Sequence, residues 1–273
     1  MVGTELLSVS SDHEFITLPK WQFNIGNLSQ VLNVKKDFDC IVHLAAETDH
    51  EYCDANPTQC YFINSIATGN LARLADDRGV HMVYLSTASI FDGKTCKPYT
   101  NKRFSARPDP INHYNASKWY GEHFVQQYKS NYILRAGWMF GGGKYIDKKF
   151  IQKMFIKLSR GDKEIKVCDD CIGSPTYSVD LVKCILKAVE KKIAPGIYHA
   201  VNPCGDGVSR YEVACKMIKY LGSDCKIIPC KIDDLKDEFP CKRTNYEVLE
   251  TNFPELRSWD LALKDYINDK YRH

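Results

Sequence analysis

No stretch of this sequence approaches the ~20 consecutive apolar residues that a membrane-spanning helix needs. Nor do its first residues show a basic segment leading into an apolar core and a cleavage site. The expectation is a cytoplasmic protein with no membrane partner. A lysine- and arginine-rich block is missing as well. The 37 basic and 34 acidic residues are spread evenly to a net charge of +3, without the one-faced basic footprint that nucleic-acid binding requires, so no nucleic-acid partner is expected. Cysteine is plentiful at 12 residues, but metal-site spacing is not. Cys168 and Cys171 form one C-x-x-C, and no second such pair or histidine pair follows to close a zinc site. Cys40, Cys184 and Cys215 lie in apolar segments, where cysteine behaves as a small hydrophobe. Free thiols in a reducing compartment and no metal are expected. The most informative absence is at the start. A doubly wound nucleotide-binding chain opens with a buried strand and a glycine-rich turn, whose amides and helix N-terminus hold a pyrophosphate. Here Gly3 opens an apolar, helix-like run over residues 3–9 with no strand before it.

What is present reads as alternating strands and helices. With 44% hydrophobic content, 273 residues can bury one α/β core plus a smaller lobe. Short β-branched or apolar runs at residues 13–18, 40–44, 81–85 and 132–135 predict strands, and residues 27–34, 60–78 and 114–128 predict helices. Within 60–78, Ile63, Ile66, Leu71, Leu74 and Ala75 recur at three- and four-residue intervals, which marks a face packed on a sheet. Strands alternating with helices imply a parallel sheet with right-handed crossovers. Further along, helices are predicted over 148–159, 180–191 and 209–221, and strands over 164–168, 197–201 and 226–229. The fold expected is therefore α/β: a doubly wound parallel Rossmann-type sheet without its first strand, and a smaller C-terminal α/β lobe. The division places a nucleotide-binding domain at 1–145 and a substrate-binding lobe at 146–273, with chain crossings between them.

Tyr114 and Lys118 stand four positions apart at the start of a helix, hence on one face. An ammonium beside a phenol stabilises phenolate and lets the tyrosine exchange a proton near neutral pH. The strand ending at Leu85 runs into Ser86, Thr87 and Ser89, hydroxyls at the C-terminal edge of a parallel sheet, where ligand crevices open. An earlier strand ends in Ala45 and Ala46, small enough for a flat ring to approach. Plainer readings hold elsewhere. His43, on an apolar strand, reads as a core histidine, and the run Gly141, Gly142, Gly143 as a turn, since no strand–turn–helix frame surrounds it. Trp138 fits a core position as well as a substrate-facing one.

These strand ends and the Tyr–Lys helix occur in the order and spacing of the extended short-chain dehydrogenase/reductases. Within that family the chain resembles the dTDP-4-dehydrorhamnose reductases through HLAAETD (43–49), NSIATGN (64–70), LSTASIFDG (85–93), PINHYNASKWYGE (110–122), RAGWMFGGG (135–143) and GSPTYSVDL (173–181). The resemblance implies an NADPH- or NADH-dependent reductase acting at C4 of a nucleoside-diphosphate 4-keto-6-deoxy sugar. By the same resemblance Tyr114 is the general acid, Lys118 lowers its pKa and binds the nicotinamide ribose, and Thr87 polarises the ketone. Gly3, Ala45, Ala46 and Thr48 fall on the cofactor side; Trp138, Thr176 and Arg243 fall on the substrate side. A homodimer is left open.

Departures from the family pattern are specific. Ala88 and Ser89 replace a usual Asp-Tyr, and residues 242–246 read KRTNY where Arg-Pro-x-x-Ser is common. Asn24 stands where many relatives have Asp, and Lys20 is placed either to favour a 2′-phosphate or simply in solvent. The missing start has two readings: an internal Met taken as the first, with a natural product longer by about 10 to 15 residues, or a shortened paralogue with a vestigial cofactor site. The first is adopted, and weak NAD(P)H binding is expected of the chain as written. A non-catalytic regulatory subunit of the same fold, like that of methionine adenosyltransferase, and a related sugar-nucleotide reductase or epimerase remain the alternatives.

Overall fold

The structure, a computed structural model, describes residues 1–9, 12–19, 21–101, 107–143, 146–147, 149–235, 237, 240–253 and 255–271. In chain order the first half contains α1 (Val2–Ser8), α2 (Leu28–Leu32), β1 (Cys40–His43), α3 (His50–Ala55), α4 (Pro57–Tyr61), a π-helical turn (Phe62–Ile66), α5 (Ala67–Asp77), β2 (His81–Thr87), α6 (His113–Gln126), β3 (Tyr132–Ala136) and β4 (Trp138–Phe140). The second half contains α7 (Phe150–Ser159), β5 (Glu164–Cys168), β6 (Ile172–Gly173), β7 (Pro175–Tyr177), α8 (Ser178–Val189), β8 (Gly196–His199), β9 (Val208–Ser209), α9 (Arg210–Leu221), β10 (Lys226–Cys230), β11 (Tyr246–Glu247) and α10 (Trp259–Tyr271).

Four parallel strands in the order β1-β2-β3-β8 form the central sheet. Its strands are apolar on both faces because both are covered. Val83, Tyr132 and Leu134 face Val2 and Leu6 of α1 and Leu181, Val182 and Ile185 of α8. Met82, Tyr84 and Ile133, one position out of phase, face Val31, Leu71, Leu74 and Val125 of α2, α5 and α6. The strand expected at residues 13–18 is not one. Among the described residues nothing pairs with the outer side of β1, so this segment has no ladder to join, and Ile16 and Leu18 stay exposed. The helix expected over 60–78 is instead three pieces: α4, the π turn and α5.

Helix α6 carries the tyrosine and lysine and is fixed on the sheet by two devices. Asn112 caps it, its side chain accepting from the Asn115 amide at 2.9 Å. Gly121 lets it approach closely, since a Cβ there would lie 2.5 Å from the Asn64 carbonyl and 2.6 Å from the Tyr84 hydroxyl. Beside that contact, buried Arg135 of β3 makes a two-point ion pair with Glu122, at 3.0 Å from Nε to Oε1 and 2.7 Å from Nη2 to Oε2.

The later segments assemble around a separate apolar cluster that includes Phe140, Ile151, Met154, Ile165, Val213, Met217, Leu263 and Tyr266. Here β5 pairs with β10, β6 joins β9 and β11, and β4 pairs with β7. Helix α9 begins in a capping box between Ser209 and Glu212 and ends on left-handed Gly222. The chain returns to the central sheet through α8 and β8. Gly141, Gly142 and Gly143 form the turn after β4, all at positive φ. Gly142 N donates to Glu5 Oε1 at 3.1 Å and Gly143 N to the Tyr266 hydroxyl at 3.2 Å. Among the described residues no helix is long and apolar enough to cross a membrane.

Candidate active site

One cleft of about 520 Å³ collects Ser86 and Thr87 from the end of β2, Tyr114 from α6, Trp138 from β4, Thr48 from the loop after β1, and Arg243 and Glu247 from the segment containing β11. Parallel strands end together, so residues far apart in sequence are delivered to one sheet edge. The Tyr114 phenol and the Thr87 hydroxyl line this cleft together, and the Thr87 Oγ1 accepts from the Ser89 amide at 3.2 Å. Burial pushes the phenol well above its ordinary range, and the nearby Thr87 hydroxyl pulls only partly against it. The His50 ring lies against the phenol, centroids 4.3 Å apart, and burial pushes its imidazole down to about 3, so it is neutral. Cys53 and Cys60 pack behind the tyrosine.

Lys118 is where the sequence places it, on the same helix one turn along. Its Nζ donates to the Leu85 carbonyl at 2.8 Å and sits 4.2 Å from the centre of the Tyr84 ring. Burial pushes the ammonium itself down to about 7. Burial is the largest influence on both groups, and the ammonium donates to a strand carbonyl.

The opposite wall is built on Trp138. Its ring lies on Gly173, where a Cβ would come within 2.4 Å of it, and its Nε1 donates to Glu247 Oε2 at 3.2 Å. The Arg210 guanidinium stacks over the indole at 4.2 Å. Lys149, Lys153, Lys157 and Lys166 line the same cleft, giving it a cationic side suited to phosphate. Arg243 is ion-paired with Glu51. Cys168, Asp170 and Cys171 bring two thiols and a carboxylate within 4.8 Å of one another. The adjacent Arg210 charge, which acts on both thiols, opposes a cation there.

Other expectations fare differently. Thr176 does not face the cleft. It is 1% exposed, and its hydroxyl accepts from Gly137 N at 2.9 Å, so it supports the strand before Trp138 rather than a ligand. Gly3 is not required by close packing, because a Cβ there would meet Leu44 Cδ1 at an ordinary 3.8 Å. Ala45 and Ala46 follow β1 but do not line the cleft, whereas Thr48 does. The Asn24 side chain is taken by the Gly26 amide, and Lys20 lies outside the described residues. His43 is a core residue, bonded to Thr68 Oγ1 at 3.0 Å and stacked on Tyr84. Sequence reasoning missed His50, Arg210 and Glu247. The departure at residues 242–246 pointed to the neighbourhood of Glu247, but nothing local marked it.

The RmlD substrate binding domain family matches residues 1–272. The chain is 30% identical over 281 residues to dTDP-4-dehydrorhamnose reductase of Mycolicibacterium smegmatis, covering 98% of this chain and 82% of that one. It is 31% identical over 183 residues to methionine adenosyltransferase 2 subunit beta of Xenopus laevis, covering 65% and 53%. A crystal structure of dTDP-4-dehydrorhamnose reductase from Bacillus anthracis in complex with NADP superposes with a TM-score of 0.88 at 29% identity, covering 98% and 95%. The parallel sheet, the shared cleft and a match along the whole chain agree: this chain belongs to the RmlD substrate binding domain family.

Proposed function

We propose that the protein reduces the 4-keto group of a nucleoside-diphosphate 4-keto-6-deoxy sugar, dTDP-4-dehydrorhamnose being the substrate favoured, with NADPH or NADH as hydride donor. The observation that carries this reading is the convergence of Thr87 and Tyr114 in one cleft that four lysines also line. A phenol kept protonated by burial is equipped to donate to an oxyanion as charge develops, and the Thr87 hydroxyl polarises the same oxygen. Bound NAD(P)H supplies the hydride. The residues present suit its nicotinamide end: the Ser86 hydroxyl is buried in the cleft with no partner among the described residues, and Lys118 lies beside that strand end. Thr48 stands on that side, and Trp138, Arg210 and Arg243 serve the sugar and diphosphate. In this reading 1–145 is the nucleotide-binding domain and 146–273 the substrate lobe, and the protein works in the cytoplasm.

The test is NADPH oxidation with the 4-keto sugar nucleotide, comparing the protein with Tyr114→Phe. The variant is expected to lose about 10²- to 10⁴-fold in kcat, the usual worth of a positioned general acid. A second reading, binding without turnover, is favoured by the resemblance to the methionine adenosyltransferase subunit. It requires that neither protein oxidise NADPH, and that outcome would overturn the reductase.

A further inference from the structure

The wall of the cleft facing the phenol holds a group that the proposed chemistry does not use. Glu247 is 8% exposed and lines the same cleft as Thr87 and Tyr114. Strand register sets it opposite Gly173, the residue on which the Trp138 ring lies. Its one direct hydrogen-bond partner among the described residues is a neutral donor, the Trp138 indole N–H on Oε2. Arg210 and Arg243 act on it through their charge, but among the described residues it forms no ion pair within 4.0 Å. A carboxyl has more acceptor positions than the single indole bond occupies, so it is able to accept more. A buried acceptor that is incompletely bonded is costly, and a ligand with hydroxyl donors removes that cost.

We infer that Glu247 is the sugar-reading residue of this cleft, accepting hydrogen bonds from ring hydroxyls beside the reducible carbon while Trp138 covers the sugar's apolar face. The inference rests on the sugar-nucleotide reading above. It specifies the substrate class further: hexoses that keep free hydroxyls next to the carbonyl, with dideoxygenated sugars rejected. A site made to bond a hydroxyl discriminates against the analogue lacking it because the buried protein group is then left unpaired. Position matters as much as charge, since the indole N–H fixes Oε2 and thereby aims the rest of the carboxyl.

Calorimetry with dTDP, a dTDP-6-deoxyhexose and the corresponding dTDP-2,3,6-trideoxyhexose tests this without turnover. The protein is expected to bind the hydroxylated sugar nucleotide about 10- to 100-fold more tightly than the trideoxy one, as the cost of leaving a buried acceptor unpaired implies. Glu247→Ala should bind the two sugars alike while keeping its dTDP affinity. Glu247→Gln, nearly the same shape and still able to accept from Trp138, should show a reduced preference, which guards against an effect of misfolding. Either variant retaining the full preference overturns the inference and leaves the reductase reading standing. If the unmodified protein binds neither sugar nucleotide more tightly than dTDP, the sugar-nucleotide reading falls and this inference with it.

Discussion

Removing one partner of the Arg135–Glu122 pair should be among the most damaging single changes to this fold. Glu122 is 0% exposed and Arg135 7%, and both carboxylate oxygens are occupied by the guanidinium. The remaining guanidinium nitrogen approaches His199 Nε2 at 3.4 Å, and burial pushes that imidazole down to about 3, so it offers no second negative partner. In Glu122→Leu a cation stays in the core with nothing to neutralise it. Such breakage costs about 3–5 kcal/mol, far more than the same pair on a surface. For a chain of this size the cost corresponds to a fall in Tm of about 5–10 °C. The double variant Glu122→Leu/Arg135→Met exchanges the pair for apolar side chains of comparable volume and should return to within about 1 kcal/mol of the original protein, or exceed it. Urea unfolding of the four proteins gives the cycle directly. Single variants costing under about 1 kcal/mol, or a double variant costing as much as both singles together, would refute the claim that an unpaired buried charge is the source of the loss.

Lys118→Met should stabilise the protein while abolishing turnover. The Lys118 pKa is pushed from 10.5 down to about 7 in the fold, so between those values the unfolded chain binds a proton that the native state does not, and stability rises with pH across that window. Below about pH 7 the native protein bears the whole cost of the buried ammonium. The Tm advantage of the variant should therefore be largest in mild acid and shrink toward pH 10.5; an advantage that grows with pH contradicts the argument. Gly173→Ala would place a methyl 2.4 Å from the Trp138 ring, with the ring rather than a flexible chain end in the way. It should raise KM for the sugar nucleotide by about 10-fold with kcat less affected, and steady-state kinetics showing the reverse split would remove Trp138 from the binding wall.

Much of the central sheet was legible because its strands are buried on both faces and write themselves as continuous apolar runs, as in His81–Thr87 and Tyr132–Ala136. Residues 13–18 carried a similar local pattern and misled, since a strand exists only where another strand pairs with it. The π turn at Phe62–Ile66 was invisible for a related reason: the apolar spacing of 60–78 is that of a helix, and local periodicity does not register the changed hydrogen-bond offset. Thr87, Tyr114 and Lys118 were readable from two short segments. Glu247, Arg210 and His50 were not, because each gains its meaning from a neighbour brought in by the tertiary fold: Trp138 for the first two, Tyr114 for the third. Thr176 was misplaced by the same blindness. A hydroxyl near a ligand-facing loop looks available until its backbone partner, Gly137, is seen.

The glycine turn after Trp138–Phe140 ties α1 and α10 to the strand that carries the indole. Glu5, from the first helix, and Tyr266, from the last, each hold one of its amides, and Tyr266 passes the connection on to Asp147 at 3.1 Å. Fraying of either helix would loosen the strand that presents the indole, so amide exchange at residues 138–143 should track that of α1 and α10 as a single cooperative unit.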